Sequence, residues 1–401
     1  MTFWDDPIVF LGDLLVDLMA ALNLPPSAIN FISTLIGVVV VASFGLISVI
    51  FLIWVERKVA ARFQDRLGPN RAGPFGLLQT FADIIKLVTK EDSIPEKADK
   101  LAFNIAPILS VVSVLLIWAV IPFAAGWIGT DINVGVLYVA AVGSFGILSV
   151  LMAGWSSNNK YALLGAFRAV AQMVSYEVPL LITLLIPVLL ARTMGMMGIV
   201  EAQTLPFILL APLAAVIFLV SSVAELGRTP FDLLEAESEI VAGYHTEYTG
   251  MKFGLFFAGE FLHAFTVGVL TAVLFLGGWR GPGAETYPLL GVVYLMGKSF
   301  LGYFIIMWVR STLPRIRIDH MLAFNWKFLT PLTLSLLVMT AIVDKAFAET
   351  SARVPALLVG NAVIFAITLV ILRQVSRRQQ KERKKFKRRP VAKAPATGKA
   401  G

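Results

Sequence analysis

Long runs of apolar residues, separated by shorter charged segments, set the first reading of the chain. Nine such stretches lie near 31–56, 101–124, 134–154, 170–192, 206–225, 250–279, 289–309, 325–346 and 354–374. They approach or exceed the ~20 residues a helix needs to cross a ~30 Å hydrocarbon layer. At these lengths only helices satisfy their own backbone N–H and C=O groups without water. The pattern predicts an all-α polytopic membrane protein with about nine transmembrane helices. The first helical pattern continues past Trp54 to about Arg66, roughly 45 Å at ~1.5 Å per residue, so it tilts strongly or protrudes.

Gly68-Pro69-Asn70 breaks that helix and Gly73-Pro74 prepares a new start. Over 75–90, Leu77, Leu78, Phe81, Ile84, Ile85 and Val88 fall on one helical face, with Gln79, Asp83, Lys86 and Lys90 on the other. This predicts an amphipathic helix on the membrane surface or on a partner, too polar to cross. The expected organisation is an N-terminal extracytoplasmic segment (1–30), a membrane core (31–347) containing an acidic loop (225–249), an additional transmembrane helix (354–374) and a basic tail (375–401). No 20–50-residue repeat is evident, nor the inverted half-to-half similarity of many transporters.

Composition sharpens the class. Of 401 residues, 57% are apolar and 15% charged, with a mean hydropathy of +0.79, against about 45–50% apolar and about 25% charged in soluble domains. With no cysteine, the chain has no thiolate to hold iron–sulfur clusters or zinc, and no disulfide or Cys nucleophile. Three histidines, His245, His263 and His320, are too few and scattered to ligate paired haems.

The net charge of +8 is concentrated at one end: from Arg373 onward stand twelve Lys/Arg and one Glu, so the body is mildly acidic. With nine spans threaded, the segments 56–100, 155–169, 225–252, 310–327 and 373–401 hold 29 Lys/Arg on one side. The other side holds only Arg192, Arg280, Lys345 and Arg353, while Lys298 falls inside a span. The positive-inside rule then places the N-terminus outside and the large loops and tail in the cytoplasm. A start without Lys or Arg, carrying Asp5, Asp6, Asp13 and Asp17, is unlike a cleavable signal peptide. The tail is expected to be without fixed structure and to favour anionic lipid. Without interleaved aromatic residues it gives no reason to expect nucleic acid as a partner.

Two short motifs are set aside. Gly291 to Gly297-Lys298-Ser299 has one residue too many for a phosphate loop and lies in an apolar span. His245-Thr246-Glu247 resembles the start of a zinc-deaminase signature whose cysteines are absent. His263 reads as a packed histidine ahead of a proton-relay member.

The acidic loop is chemically unusual. Glu225, Asp232, Glu235, Glu237, Glu239 and Glu247 face only Arg228, interleaved with Leu226, Phe231, Leu233, Leu234, Ile240 and Val241, which favour burial. A solvated acidic loop is the simpler alternative. If the stretch is helical, Glu235 and Glu239 share a face, and their repulsion raises at least one pKa toward the range of proton exchange. Glu177, Glu260 and Glu56 lie within or at the ends of apolar spans, where carboxylates mark ion or proton paths. A structural pair of Arg168 with Glu177 or another acid stays open.

Four runs carry a resemblance: WVERKVAARFQDRLGPNRAGPFGLLQTFADIIKLVTKED (54–92), AFRAVAQMVSYEVPL (166–180), ELGRTPFDLLEAESEIVAGYHTEYTGMKFGLFFAGEF (225–261) and RSTLPRIRIDHMLAFNWKFLTPLTL (310–334). In this order they resemble the H-subunit family of proton-translocating NADH:quinone oxidoreductase, respiratory complex I, over roughly 30–347. The resemblance implies an eight-helix core plus one C-terminal helix in a bacterial-type inner membrane. It implies a chamber for a quinone, ubiquinone or menaquinone, shared with peripheral subunits carrying the terminal iron–sulfur cluster. NADH, FMN and the clusters belong to partner subunits, and small membrane subunits and lipids are further neighbours. By matching motif, Glu56, Arg57, Arg66, Asp83, Arg228, Arg310, Arg315 and Arg317 are implied at the quinone chamber and its access. Glu177, Glu225, Asp232, Glu235, Glu237, Glu239, Glu247 and Glu260 are implied in the proton path, with Arg168 and Asp319 supporting. His320 stands where the family pattern leads one to expect glutamine, and the last span and tail lie beyond the usual core. A related hydrogenase or dehydrogenase subunit, or a free-standing proton-coupled transporter, are the alternatives.

Overall fold

Helix lengths in the computed structural model follow the apolar runs, and the connections between them build the site. The structure describes residues 6–233, 241–347 and 352–387, with side chains as far as 374. Among these, all regular structure is helical: α1 (Pro7–Ala21), α2 (Pro26–Phe63), α3 (Gln79–Thr89), α4 (Lys100–Ile117), α5 (Gly135–Ser156), α6 (Lys160–Ala191), α7 (Met196–Ala202), α8 (Phe207–Leu210), α9 (Pro212–Glu225), α10 (Gly250–Phe275), α11 (Pro288–Thr312), α12 (Ile318–Phe324), α13 (Thr330–Ala346) and α14 (Arg353–Lys387).

Eight helical segments among the described residues are long and apolar enough to cross a membrane. The expected stretch 206–225 is different. Ala211 leaves helical geometry and Pro212 starts a new helix, so α8 and α9 divide it, and α9 has 14 residues. That is about 21 Å, short of a ~30 Å core. Three further differences concern the ends. A helix, α1, occupies much of the segment 1–30; α2 ends at Phe63 rather than near Arg66; and α14 runs into the basic segment as far as Lys387.

Helix α10 is the central post, with 78% of its apolar window buried, whereas α2 and α14 bury only 17% and 11% and face outward. It packs against α4 and α11. At the α10–α11 crossing Gly302 lies against Gly268, where a Cβ on Gly268 would stand 2.6 Å from the Ser299 carbonyl oxygen. Small residues there let two backbones approach, as membrane helices commonly do. Several buried polar groups in the core find partners. The Trp118 indole donates to Thr266 Oγ1 at 2.7 Å, and the Tyr176 hydroxyl donates to the Met321 carbonyl at 3.0 Å. Asn325, in the π-helical turn Asn325–Leu329, donates to the Ser175 carbonyl at 2.5 Å. A lone unsatisfied donor in a dry core costs about 1–3 kcal/mol, so these bonds fix how the end of α4 seats on α10, and α12 and the π-helical turn on α6.

Candidate functional site

The chain that follows α9 is held from two sides and by a bond of its own. Gln172 on α6 donates through Nε2 to the carbonyls of Ala224 and Phe231, both at 2.7 Å. Phe231 N donates to the Arg228 carbonyl at 2.9 Å, and Ile316 N reaches the Pro230 carbonyl at 2.9 Å. The loop after α11 is thereby tied to the loop after α9. Arg228 is left pointing into the bundle, only 4% exposed.

Around Arg228 the structure assembles a compact ionic cluster. Arg228 Nε stands 2.8 Å from Glu260 Oε1 on α10, and Nη1 stands 3.2 Å from Glu56 Oε1 on α2. Glu56 also pairs with Arg310 on α11, and Tyr303 donates its hydroxyl to Glu56 Oε2 at 3.0 Å. The guanidinium carbon of Arg228 lies 4.8 Å from the centre of the Phe261 ring, a cation–π contact. Two carboxylates and two guanidiniums balance in charge, the condition under which ions tolerate removal from water. Arg228 Nη2 is buried without a hydrogen-bond partner among the described residues.

Two hollows meet at this cluster, sharing Thr229 and Arg310 in their walls. The larger is a cleft of about 740 Å³ between α2, α10, α11 and the loop after α2. Glu56, Arg57, Gln64, Arg66, Arg310 and Ser311 supply its polar wall, and Ala60, Leu67, Phe257, Phe261 and Met307 its apolar wall. Its volume lies within the range of small-molecule sites. The smaller, about 80 Å³, lies on the other side of Arg228 and is lined by Ser110, Ser113, Glu225, Asp232, Tyr244, Glu260 and His263, among others. It has room for a few waters bridging polar groups.

The rim of the cleft is shaped by the loop after α2. A Cβ on Gly76 would lie 2.2 Å from the Pro69 carbonyl oxygen, and its φ is +77°, so only glycine lets the loop fold over itself there. The Trp54 indole donates to the Phe75 carbonyl at 3.2 Å. Asp83 on α3 pairs with Arg57, and Lys86 Nζ lies 4.0 Å from the same carboxylate. The expected helix over 75–90 is shorter: Phe75 lies in a tight turn with φ +55° and α3 starts at Gln79, so Leu77 and Leu78 precede it, while Phe81, Ile85 and Val88 on α3 are exposed.

Expected site residues separate into groups. Glu56, Arg57, Arg66, Arg228, Glu260 and Arg310 lie at or beside the cluster, with Glu225 and Asp232 at the small cavity. Glu177 lies near enough to Glu225 for their charges to interact, and accepts from Ser144 Oγ at 2.9 Å. Glu247 accepts from Asn159 Nδ2 at 2.6 Å, beside the start of α6. Arg315, Arg317 and Asp319 are exposed around the start of α12 and line neither hollow; Arg168 is half-buried and lines neither. Glu235, Glu237 and Glu239 lie outside the described residues.

Sequence reasoning missed Tyr303, Thr229, Gln64, Ser144 and the aromatic wall of Phe257 and Phe261. For Tyr303 a signal was available: Tyr303, Met307 and Arg310 recur at i, i+4, i+7 and share a helix face. Ahead of α10, burial lowers the His245 pKa from 6.5 to about 4 and raises that of Tyr248 to about 12. Tyr248 stacks on Phe103 with ring centres 4.0 Å apart.

Helical spans wrapped around a charge-balanced cluster, with a cleft on one side and a polar cavity on the other, define a polytopic membrane protein with ionisable groups threaded through its interior. The family profile described as NADH dehydrogenase matches residues 36–341. Among curated relatives, the NADH-quinone oxidoreductase H subunit of Dehalococcoides mccartyi (strain CBDB1) is 52% identical over 311 residues, covering 78% of this chain and 87% of the relative. The H subunit of the same enzyme from Geobacillus kaustophilus is 48% identical, covering 74% and 89%. That from Paramagnetospirillum magneticum is 44% identical, covering 83% and 98%. The chain belongs to the H-subunit family of NADH-quinone oxidoreductase.

Proposed function

We propose that the 740 Å³ cleft is this chain's share of a quinone chamber, and that the Arg228 cluster passes the charge change of quinone reduction to carboxylates deeper in the membrane. As a family member the chain is a membrane subunit of a multi-subunit oxidoreductase. Without cysteine, it has no donor set for iron–sulfur clusters. Electrons therefore come from a cluster on a peripheral partner, with NADH and FMN bound elsewhere in the assembly. The cleft offers what a quinone needs: an aromatic and aliphatic wall for ring and tail, and Arg and Gln donors for its two carbonyl oxygens.

The carrying observation is that one guanidinium spans Glu56 at the cleft and Glu260 at the small cavity. Negative charge developing on a reduced quinone competes with Glu56 for Arg310 and Arg228. In a poorly hydrated site that competition is strong. As Arg228 shifts toward the cleft, Glu260 feels less of the Arg228 charge and takes up a proton, drawn through the small cavity that it shares with Glu225. Repulsion between Glu225 and Glu177 then favours moving charge onward along α6. Glu235, Glu237, Glu239, Glu247 and Asp232 form the cytoplasmic feed of this path. Arg57, Arg66 and Asp83 shape access, Arg315, Arg317 and Asp319 close the chamber against the peripheral subunits, and Arg168 offsets acidic charge on α6.

The same reading assigns nine membrane passes, α9 with α8 making the fifth, with the N-terminus outside and the basic tail in the cytoplasm of a bacterial cell. A photoreactive quinone analogue tests the chamber. In the intact complex it is expected to label residues 64–69, Phe257, Phe261 or Met307, with excess native quinone protecting them. Labelling confined to surfaces away from the cleft overturns the assignment.

A further inference from the structure

Helix α1 precedes the segment matched by the family profile and takes no part in the cleft. Its position is fixed at both ends. Asp6 caps it, accepting from Val9 N at 3.1 Å, and also accepts from the Trp127 indole at 3.0 Å in the connection between α4 and α5. At its other end a short link joins Ala21 to the start of α2 at Pro26. Both attachments belong to the end of the bundle opposite the cleft, because α2 starts there and α4 finishes there. At 15 residues α1 is about 22 Å long, too short to cross a ~30 Å core.

Its aspartates gather on one narrow stripe, which also carries Phe10, and apolar residues cover the rest. Asp6, Asp13 and Asp17 recur at i, i+7, i+11 and share one stripe, while Leu11, Leu15, Leu18 and Leu22 share the opposite one. Met19 alone in α1 is buried; Leu11 is 49% exposed, Leu18 58% and Leu22 66%. Helix α1 packs against α2, whose N-terminal part is also bare, with Phe31 70% and Val38 59% exposed. At the end of the spans an apolar stripe lies at the level of the acyl-chain boundary, where lipid can cover it. Its acidic face excludes the basic-helix route to anionic headgroups, so apolar burial supplies the attachment.

We propose that α1 is an interfacial helix seated in the bilayer surface at the end away from the cleft, with its leucine stripe among acyl chains, its aspartates toward water and its Asp6 end anchored by Trp127. It holds the outer end of the long α2, whose other half carries Glu56. The lipid seating stands apart from the quinone reading; only the naming of that side as extracytoplasmic rests on it.

The absence of cysteine makes the test direct for this subunit. Single nitroxide labels at L11C, L15C, D13C and D17C are placed in the complex reconstituted in vesicles. Collision with oxygen is expected to exceed collision with a water-soluble nickel chelate at positions 11 and 15, and the order to reverse at 13 and 17. Positions 11 and 15 shielded from both reagents would mean a protein partner covers the stripe; both open to the chelate would mean it lies in water. Either result overturns the proposal. Should a variant fail to assemble, carbene labelling of the unmodified complex by an acyl-chain-borne reagent decides: labelled leucines in 7–21 support the seating, and labelling of α2 without α1 refutes it.

Discussion

Arg228 reaches Glu260 at 2.8 Å with Nε while the other arm of the same guanidinium faces Glu56 at 3.2 Å. One planar cation thus joins two helices and two hollows. Lysine keeps the charge but offers one compact ammonium in place of a fork. Breaking a buried pair by removing one partner costs about 3–5 kcal/mol. Arg228→Met is accordingly expected to impair assembly of the membrane domain. Arg228→Lys should assemble yet lose at least ~10-fold in quinone reduction, a change of about 1.4 kcal/mol. Wild-type rates in an assembled Arg228→Lys complex contradict the bridging role.

Arg66 Nε donates to Gln64 Oε1 at 2.7 Å on the wall of the cleft. If this pair presents a donor to the quinone, Arg66→Ala raises the quinone KM by about tenfold, worth ~1.4 kcal/mol of binding. Steady-state kinetics with a short-chain quinone measure it, and unchanged KM in an intact complex removes Arg66 from the site.

Much of this was legible in the chain because hydrocarbon is an exacting solvent. A long apolar run must be helical, so eight spans could be read directly, and carboxylates within them stood out by their cost. The break inside the fifth stretch was not legible, because mean apolarity hides a change of backbone direction and Pro212 decides where the second helix begins. Glu56, Arg228, Glu260 and Arg310 were each legible as candidates, but their mutual pairing was not, since it depends on how α2, α10 and α11 pack. Tyr303, uncharged and in an apolar run, became visible only as the donor to Glu56. α1 was hidden by brevity: it falls below the length that signals a span.

The connection before α10 carries a pH dependence of known sign. Burial lowers the His245 pKa from 6.5 to about 4, so over that interval the unfolded connection binds a proton that the folded one refuses. Stability from burying neutral His245 is therefore full above pH 6.5 and declines as pH falls toward about 4. Amide exchange over 241–249, corrected for intrinsic rates, is expected to show more frequent opening at about pH 5 than at about pH 7. His245→Phe should flatten that difference. Equal opening at both pH values in the native chain contradicts the buried neutral state.

Ser144 on α5 donates to Glu177 at 2.9 Å. A side-chain hydrogen bond contributes about 0.5–1.5 kcal/mol. Ser144→Ala should leave quinone reduction close to normal while reducing protons translocated per NADH, read by a pH-sensitive dye in sealed vesicles. Full pumping in this variant removes Ser144 as a positioning residue for Glu177.

The link between the cleft and the membrane interior is tested most directly by Glu260→Gln, which keeps the shape of the side chain and removes its charge and its proton. The measurement is the simultaneous rate of quinone reduction and proton uptake by the reconstituted complex, with quinone binding checked separately. The account predicts that binding survives while both rates fall together by about tenfold or more, ~1.4 kcal/mol at the barrier. Native rates of both in the fully assembled variant would contradict it.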